Sequence, residues 1–367
     1  MPIGLYIHIP FCMRKCPYCD FYSTTMSPQA DDYYLEALLR TITAFAQQYA
    51  NRTVDTVYFG GGTPSLFGAR RLLCVTEHIL KKFDVLPNAE FTVEVNPASG
   101  IKAELSALYN GGINRLSFGV QSMCDNELRL LERPHTAAEA KQAILTAAEI
   151  GYKHISADLM LALPGQTIND IHNNIINLAS LPLDHISAYL LKIEDGTPFA
   201  QRNLILPSED ETAEQYLHCA QQLELAGFSQ YEISNFAKPD GQSRHNLKYW
   251  HCEEYLGIGP AAHSFINSQR FYFPADLQAF IHEEKPLSII VPDGKGGDFE
   301  EYCMLNLRLR EGLNLKKLAK LFPTADIDAM CAHAKQLKEL VILEDNYLRL
   351  TTKGFLLSNS VIAEICL

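Results

Sequence analysis

Short apolar segments alternate with longer amphipathic segments through the first half of the chain. Each apolar segment ends at a turn residue or a polar loop, which predicts a buried strand. The intervening segments repeat apolar residues at the helical period and predict helices. The predicted strands span residues 5–9, 54–59, 90–96, 115–120, 154–160 and 185–191. The predicted helices span residues 29–50, 69–83, 102–110, 137–150 and 168–180.

This alternation predicts an α/β fold made of parallel βαβ units with right-handed crossovers. The six predicted units are too few for a complete eight-stranded barrel. Residues 1–207 form the first predicted domain. Residues 208–297 are less regular and are expected to complete that domain.

Residues 298–367 are predicted to form a third unit with three helices and a hairpin, a pattern typical of a winged helix. The predicted helices span residues 299–309, 315–321 and 325–339, and the hairpin spans 340–350. Basic residues are not clustered here, which argues against DNA binding. We expect this unit to pack on the barrel or to dock a partner.

The composition changes the picture in two ways. The 367 residues carry a formal net charge of −12, which does not favour a nucleic-acid surface. Seven of the ten cysteines are isolated, as expected for reduced thiols in the cytoplasm. No apolar segment is long enough to span a bilayer and no basic leader is visible, so we expect a soluble cytoplasmic protein. Peripheral membrane contact stays open.

The remaining cysteines, Cys12, Cys16 and Cys19, follow the first predicted strand on one loop. Sites in α/β folds lie at the carboxyl ends of strands, where this loop is placed. Three thiolates could bind three irons of a [4Fe–4S] cluster and leave the fourth iron open. A zinc site completed by His8, or a set of free thiols, would also fit the spacing.

Polar residues mark the ends of the later strands. Glu94, Asn96, Gln121 and Asp158 lie in or after strands that should be almost wholly apolar. Any one of them could be a structural polar group, but together they favour a common site. The glycines of segment 60–64 allow the backbone to approach a bound amine, or they form only a tight turn.

The C-x3-C-x2-C spacing resembles the radical S-adenosylmethionine (SAM) superfamily. Segments 6–12, 60–64, 94–97, 118–122 and 158–167 together resemble its oxygen-independent coproporphyrinogen III oxidase (HemN) family. The resemblance implies a partial (β/α)6 barrel that is open on one side, and a cluster whose open iron binds and cleaves SAM. It also implies SAM contacts from Tyr6, Gly61, Gly62, Thr63, Glu94, Gln121, Arg133, Asp158 and Lys192.

The sequence departs from the decarboxylating enzymes of this family in two places. Phe21 stands where those enzymes carry a fourth cysteine, and only eleven residues precede Cys12. Residues 245–250 instead match the H-N-x-x-Y-W pattern of the HemW branch, which is known for haem chaperones. By this resemblance His245 is the candidate haem-iron ligand, and His263 is the alternative. A lone histidine could equally be a structural residue.

Three functions follow as hypotheses. The first is a haem chaperone that delivers haem to an acceptor protein. The second is a coproporphyrinogen III oxidase, and the third is another radical-SAM enzyme. The expected cofactors are the [4Fe–4S] cluster, SAM and haem, and the expected partners are an electron donor and a haem acceptor. Whether the protein is an enzyme stays open.

Overall fold

A computed structural model describes residues 1–25 and 28–366 of the chain. The strands are β1 Ile3–Ile9, β2 Phe11–Cys12, β3 Thr24–Thr25, β4 Thr53–Gly61, β5 Asp84–Val95, β6 Arg115–Gln121, β7 His154–Leu161, β8 His185–Leu190, β9 Ser229–Gln230, β10 Asn235–Ala237, β11 Tyr255–Ile258, β12 His263–Ile266, β13 Gln269–Tyr272, β14 Val291–Lys295, β15 Leu313–Asn314, β16 Val341–Glu344 and β17 Tyr347–Leu350. The helices are α1 Pro28–Gln48, α2 Pro64–Phe67, α3 Ala69–Lys82, α4 Lys102–Asn110, α5 Asp125–Leu130, α6 Ala137–Ile150, α7 Ile168–Ala179, α8 Glu209–Leu225, α9 Arg244–Trp250, α10 Leu277–His282, α11 Phe299–Asn306, α12 Leu315–Leu321, α13 Ile327–Ala334, α14 Thr352–Leu356 and α15 Ser358–Cys366.

The six predicted strands are neighbours in one sheet. They appear as β1, β4, β5, β6, β7 and β8, in that spatial order, and each pair is parallel. Helices connect consecutive strands because parallel neighbours require crossover connections. The predicted α/β partial barrel is therefore confirmed.

The sheet extends further than the sequence pattern predicts. Within the described residues it has twelve strands, in the order β14-β13-β12-β11-β1-β4-β5-β6-β7-β8-β10-β9. β11 pairs in parallel with β1 and adds a seventh parallel strand. The added strands are only two to five residues long, so they carry too little periodicity to be recognised from sequence.

Two hydrophobic cores stabilise the fold. The larger core fills the space between the barrel strands and their helices, and it buries Ile3, Leu5, Ile7 and Ile9 of β1 completely. The second core belongs to the carboxyl-terminal region, where helices α11 to α15 pack on the small sheet β15-β17-β16. No helix among the described residues has the length and apolarity needed to cross a membrane.

Helix α9, which we call the barrel plug, covers the amino end of the barrel. Its first two backbone amides, those of Arg244 and His245, donate to the two carboxylate oxygens of Glu90 at 3.1 and 3.0 Å. The buried Lys248 of the plug forms ion pairs with Asp55 at 2.9 Å and with Glu253 at 3.2 Å. The plug therefore closes the end of the barrel that lies opposite the cysteine loop.

Replacing Lys248 with methionine is expected to lower the free energy of unfolding by about 3 kcal/mol, because the largely buried Asp55, 16% exposed, would lose its cation. The urea midpoint of the purified protein measures this change. The matched control is Lys102→Met, which removes an exposed ion pair with Glu149 and should cost less than about 1 kcal/mol. Equal losses in the two variants would contradict this account of the plug.

Candidate functional site

The three cysteines lie on the loop that follows β1, at the carboxyl end of the barrel. All three are partly buried and line one cavity. The loop is held by backbone hydrogen bonds from Cys19 to Cys16 at 3.1 Å and from Thr24 to Pro10 at 2.7 Å. These hydrogen bonds hold the three thiols on one short loop.

Two side chains contact the thiols directly. The Arg133 guanidinium donates to Cys16 Sγ at 3.3 Å and to the Gly119 carbonyl at 2.6 Å. The Thr63 hydroxyl donates to Cys12 Sγ at 3.7 Å. A neighbouring cation and hydroxyl both favour thiolates, the form that binds metal. Burial raises the pKa of Cys12 and of Cys19, so metal binding must displace protons from these thiols.

These residues fit a [4Fe–4S] cluster better than zinc. A tetrahedral zinc site would need His8 as its fourth ligand. His8 is buried, and its two ring nitrogens lie 3.1 Å from the Tyr6 hydroxyl and 2.9 Å from the Tyr22 carbonyl. In residues 1–25 and 28–366, no three His, Cys, Asp or Glu side chains are arranged for a single metal ion. When bound, a cluster would supply the electron for SAM cleavage.

The glycine turn after β4 packs against the cysteine loop. A Cβ on Gly62 would lie 2.7 Å from the Phe11 carbonyl oxygen, so the turn needs glycine there. The Gly62 and Thr63 amides donate to the Ile9 and Phe11 carbonyls at 2.8 and 2.7 Å. The sequence left open whether this turn admits a ligand or is only a tight turn, and the structure shows that it fixes the loop that carries the thiols.

Glu94 is the central carboxylate of the cavity. It accepts one hydrogen bond from the Tyr58 hydroxyl at 2.8 Å and another from the Gly61 amide at 3.1 Å. Burial raises the pKa of Glu94 to about 7, and it raises the pKa of Asp158 to about 6. Two partly buried carboxyls in one cavity favour a cationic ligand, because a nearby positive charge would stabilise both ionised forms.

Gln121 adopts a strained backbone conformation at the end of β6. Its φ of 71° lies in the left-handed region, and the pairing of β6 with β7 is irregular just before it. The Tyr189 hydroxyl donates to Gln121 Oε1 at 2.6 Å and fixes the side chain. Such outliers are concentrated at binding sites, where the surrounding structure holds them in place.

The cavity brings together most of the residues that the sequence assigned to SAM. Its lining includes Gly61, Gly62, Thr63, Glu94, Gln121, Arg133 and Asp158. Asn96 also lines it, although its side chain caps the following turn by accepting from the Ala98 amide at 3.1 Å.

Tyr6 and Lys192 lie apart from these residues. Tyr6 is not in the lining of the cysteine cavity, and its ring lies beside those of Tyr58 and His245, with centroids 6.2 and 6.5 Å away. The Lys192 side chain is 79% exposed and pairs with Glu194 at 2.6 Å. Lys192 lines a second cavity of about 510 Å³ that also includes Glu94 and Asp158. Their SAM contacts remain predictions.

Comparison with known proteins identifies the family. The Radical SAM superfamily profile matches residues 6–175, and the HemN C-terminal domain profile matches residues 299–357. The chain is 33% identical to the heme chaperone HemW of Mycobacterium tuberculosis, over 98% of this chain and 94% of that protein. It is 32% identical to the HemW of Lactococcus lactis, over 100% and 98% of the two chains. The chain belongs to the HemW family.

A solved structure agrees with this HemW-family fold. The coproporphyrinogen III oxidase HemN of Escherichia coli, described as a radical SAM enzyme, superposes with a TM-score of 0.85 at 23% identity. The match covers 100% of this chain and 90% of HemN. The likeness extends through the carboxyl-terminal region. At this identity it establishes the architecture only.

The sequence did not identify Tyr58 and Tyr189 as residues near these cavities. Each lies on a barrel strand, and each donates a hydrogen bond to a residue that was identified, Glu94 or Gln121. They could have been recognised as Glu94 was, because each places a polar group in a strand that should be apolar. Tyrosine gives a weaker signal than glutamate because its ring is compatible with a core.

The geometry does not favour His245 as the haem ligand in this HemW-family chain. The side chain is 1% exposed. Its Nδ1 lies 2.8 Å from the Thr56 hydroxyl and its Nε2 lies 2.8 Å from the Tyr249 hydroxyl. Burial lowers the pKa of His245 to about 3, so the ring is neutral. An axial ligand needs a free and accessible nitrogen, and neither ring nitrogen of His245 is free here.

His263 has the accessibility that His245 lacks. Its side chain is 58% exposed on β12, and its ring stacks on that of Tyr272 with centroids 5.0 Å apart. Its Nδ1 lies 3.9 Å from an Asp293 carboxylate oxygen. An exposed imidazole beside an aromatic ring can bind a flat iron macrocycle.

Proposed function

We propose that the protein is a haem chaperone, which binds haem and passes it to an acceptor protein. The observation that carries this proposal is the match to proteins named heme chaperone HemW along almost the whole chain. Phe21, which occupies the fourth-cysteine position, has a 69% exposed side chain at the mouth of the cysteine cavity. A phenylalanine there offers no metal ligand and presents an apolar ring to solvent.

The second candidate is an oxygen-independent coproporphyrinogen III oxidase. The likeness to HemN favours it, because the same partial barrel and carboxyl-terminal region are present. The absence of a cysteine at position 21 counts against it. A radical-SAM enzyme with another substrate is the third candidate, and it shares the same cluster and SAM residues.

The partners follow from this function. Haem and a haem-accepting protein are required for delivery, and the cluster requires an electron donor. We place the protein in the cytoplasm, since its isolated cysteines fit a reducing compartment. Nucleic acid is not an expected partner because the net charge is −12. Peripheral contact with a membrane would fit delivery to a membrane-bound acceptor.

Purified protein with its cluster is expected to bind haem and give a Soret band, without converting coproporphyrinogen III in the presence of SAM and a reductant. We assign the iron ligand to His263. His263→Ala should therefore weaken haem binding and shift the Soret band, with an unchanged iron and sulfide content. The haem titration followed by absorbance measures both effects.

The control is His282→Ala, which removes another exposed histidine, on α10. It should leave the haem titration unchanged. Sustained conversion of coproporphyrinogen III would replace the chaperone proposal with the oxidase. Haem binding that is equal in wild type and in His263→Ala would remove the ligand assignment and leave the chaperone proposal standing.

A further inference from the structure

The His245 ring is the base of a stack of aromatic rings inside the barrel. It lies parallel to the Tyr58 ring with centroids 5.2 Å apart and an interplanar angle of 25°. The Tyr6 ring lies beside this pair, with its centroid 6.2 Å from that of Tyr58 and 6.5 Å from that of His245. The Tyr249 ring contacts the imidazole edge-on, with centroids 5.2 Å apart. The imidazole is therefore packed against three aromatic rings.

Two hydroxyl groups fix the rotation of this imidazole. Nδ1 contacts Thr56 Oγ1 and Nε2 contacts Tyr249 Oη, each at 2.8 Å. A neutral imidazole has one donor and one acceptor nitrogen, and hydroxyl groups can satisfy either. Both ring nitrogens therefore have a hydrogen-bond partner in either tautomer. These two contacts fix the orientation of the imidazole plane against which the Tyr58 ring stacks.

The stack is connected to Glu94, which lines both cavities. Thr56 and Tyr58 are two residues apart on β4 and point to the same face, so His245 bonds to one and stacks on the other. The Tyr58 hydroxyl then donates to Glu94 Oε1 at 2.8 Å. One buried side chain of the barrel plug thus supports the ring whose hydroxyl orients Glu94.

The backbones of β1 and β4 pack closely against these rings. A Cβ on Gly4 would lie 3.1 Å from His245 Cε1. A Cβ on Gly60 would lie 2.8 Å from the Tyr58 ring and 3.0 Å from Glu94 Oε1. Glycine at these two positions lets the backbones of β1 and β4 press against the stack. Removing the imidazole would open a gap that Tyr58 could tilt into.

We propose that His245 is a positioning residue of the SAM site, which acts through Tyr58 to hold the Glu94 carboxylate in its binding orientation. The proposal rests on Glu94 contacting SAM, and it gives the histidine of the H-N-x-x-Y-W segment a role in the barrel interior. Haem has no part in it. The proposal therefore predicts an effect on SAM that is separable from any effect on haem.

The test uses the full-length protein with its reconstituted cluster and compares SAM titrations. The readout is the SAM concentration that gives half of the change in the EPR signal of the reduced cluster. His245→Ala should raise this concentration about tenfold, the effect of one weakened charge-assisted hydrogen bond. Iron content and the haem Soret titration should match wild type. Tyr249→Phe keeps the imidazole and removes one of its partners, so it should raise the half-saturating SAM concentration by a smaller factor.

A double-variant cycle separates positioning from general loosening. If His245 acts through Tyr58, the double variant Tyr58→Phe/His245→Ala should bind SAM no more weakly than Tyr58→Phe alone. The matched control is His185→Ala. His185 is also a buried barrel histidine, bonded to Ser156 at 2.6 Å and Tyr231 at 2.8 Å, but it does not stack on Tyr58.

Several results would overturn the proposal. One is a half-saturating SAM concentration in His245→Ala that equals the wild-type value. Another is an increase in His185→Ala as large as that in His245→Ala. A third is a double variant whose loss of SAM affinity is the sum of the two single losses. A loss of haem binding in His245→Ala with unchanged SAM binding would return this histidine to the haem site. If wild type did not bind haem, the chaperone proposal would be wrong. The comparison of SAM binding between wild type and His245→Ala would still test the role of His245.

Discussion

Replacing Cys16 with alanine is expected to leave the protein without its [4Fe–4S] cluster. Wild type reconstituted without oxygen should contain about four irons and four sulfides per chain. The variant keeps only the thiols of Cys12 and Cys19, and Arg133 loses its thiolate partner. Iron and sulfide analysis with the visible absorption spectrum measures the loss.

Cys124→Ala is the control for this change. Cys124 is partly exposed and is not among the residues lining the cysteine cavity. Its removal should leave the iron and sulfide content at the wild-type level. About one zinc per chain with no iron, in anaerobic wild-type preparations, would contradict the cluster assignment and favour the zinc alternative.

The Glu94→Ala variant is expected to lose SAM binding while it keeps the cluster. The variant removes a carboxylate that lines the same cavity as the thiols and is held by Tyr58 and Gly61. Loss of a buried charge-assisted contact should weaken SAM binding about 100-fold, or about 2.7 kcal/mol. The EPR titration of the reduced cluster with SAM gives the affinity. Unchanged affinity would remove Glu94 from the site.

Wild-type SAM affinity should also depend on pH. The pKa of Glu94 in the free protein is raised to about 7, so the carboxyl is neutral below this pH and ionised above it. Only the ionised form attracts the positive charge of SAM, so affinity should increase as pH rises through about 7. Glu94→Gln should abolish this increase.

A second buried carboxyl provides the control for the pH experiment. Burial also raises the pKa of Glu232 to about 7, but Glu232 is not in the lining of the cysteine cavity. Glu232→Gln should therefore keep the wild-type pH dependence of SAM binding. If the pH dependence of SAM binding disappeared in Glu232→Gln and persisted in Glu94→Gln, its assignment to Glu94 would be wrong.

The sequence predicted the barrel strands well because their signal is local. A parallel strand is buried on both faces, so segments such as 54–59 and 154–160 read as short apolar runs with turns at their ends. The cysteine loop was equally visible, since its ligand spacing lies within eight residues. Glu94, Gln121 and Asp158 stood out as polar exceptions in apolar strands.

The contacts made by residues 244–258 could not be predicted in this way. The pattern at 245–250 suggested a role for His245, but not that the helix would enter the barrel end and bury the ring. β11 has four residues and finds its partner strand far away in sequence. Such placement depends on packing between distant segments, which periodicity does not encode.

The pairing of β1 with both β4 and β11 also has a consequence for how the chain is made. The first strand leaves the ribosome early, but the partner on its other edge ends at Ile258. At roughly 5–20 residues per second, that edge stays unpaired for tens of seconds. A nascent chain stalled before Tyr255 would present the backbone of an apolar strand to its neighbours, a template for aggregation. We therefore expect a translational pause after β11 has emerged from the ribosome to be tolerated much better than a pause before it has emerged.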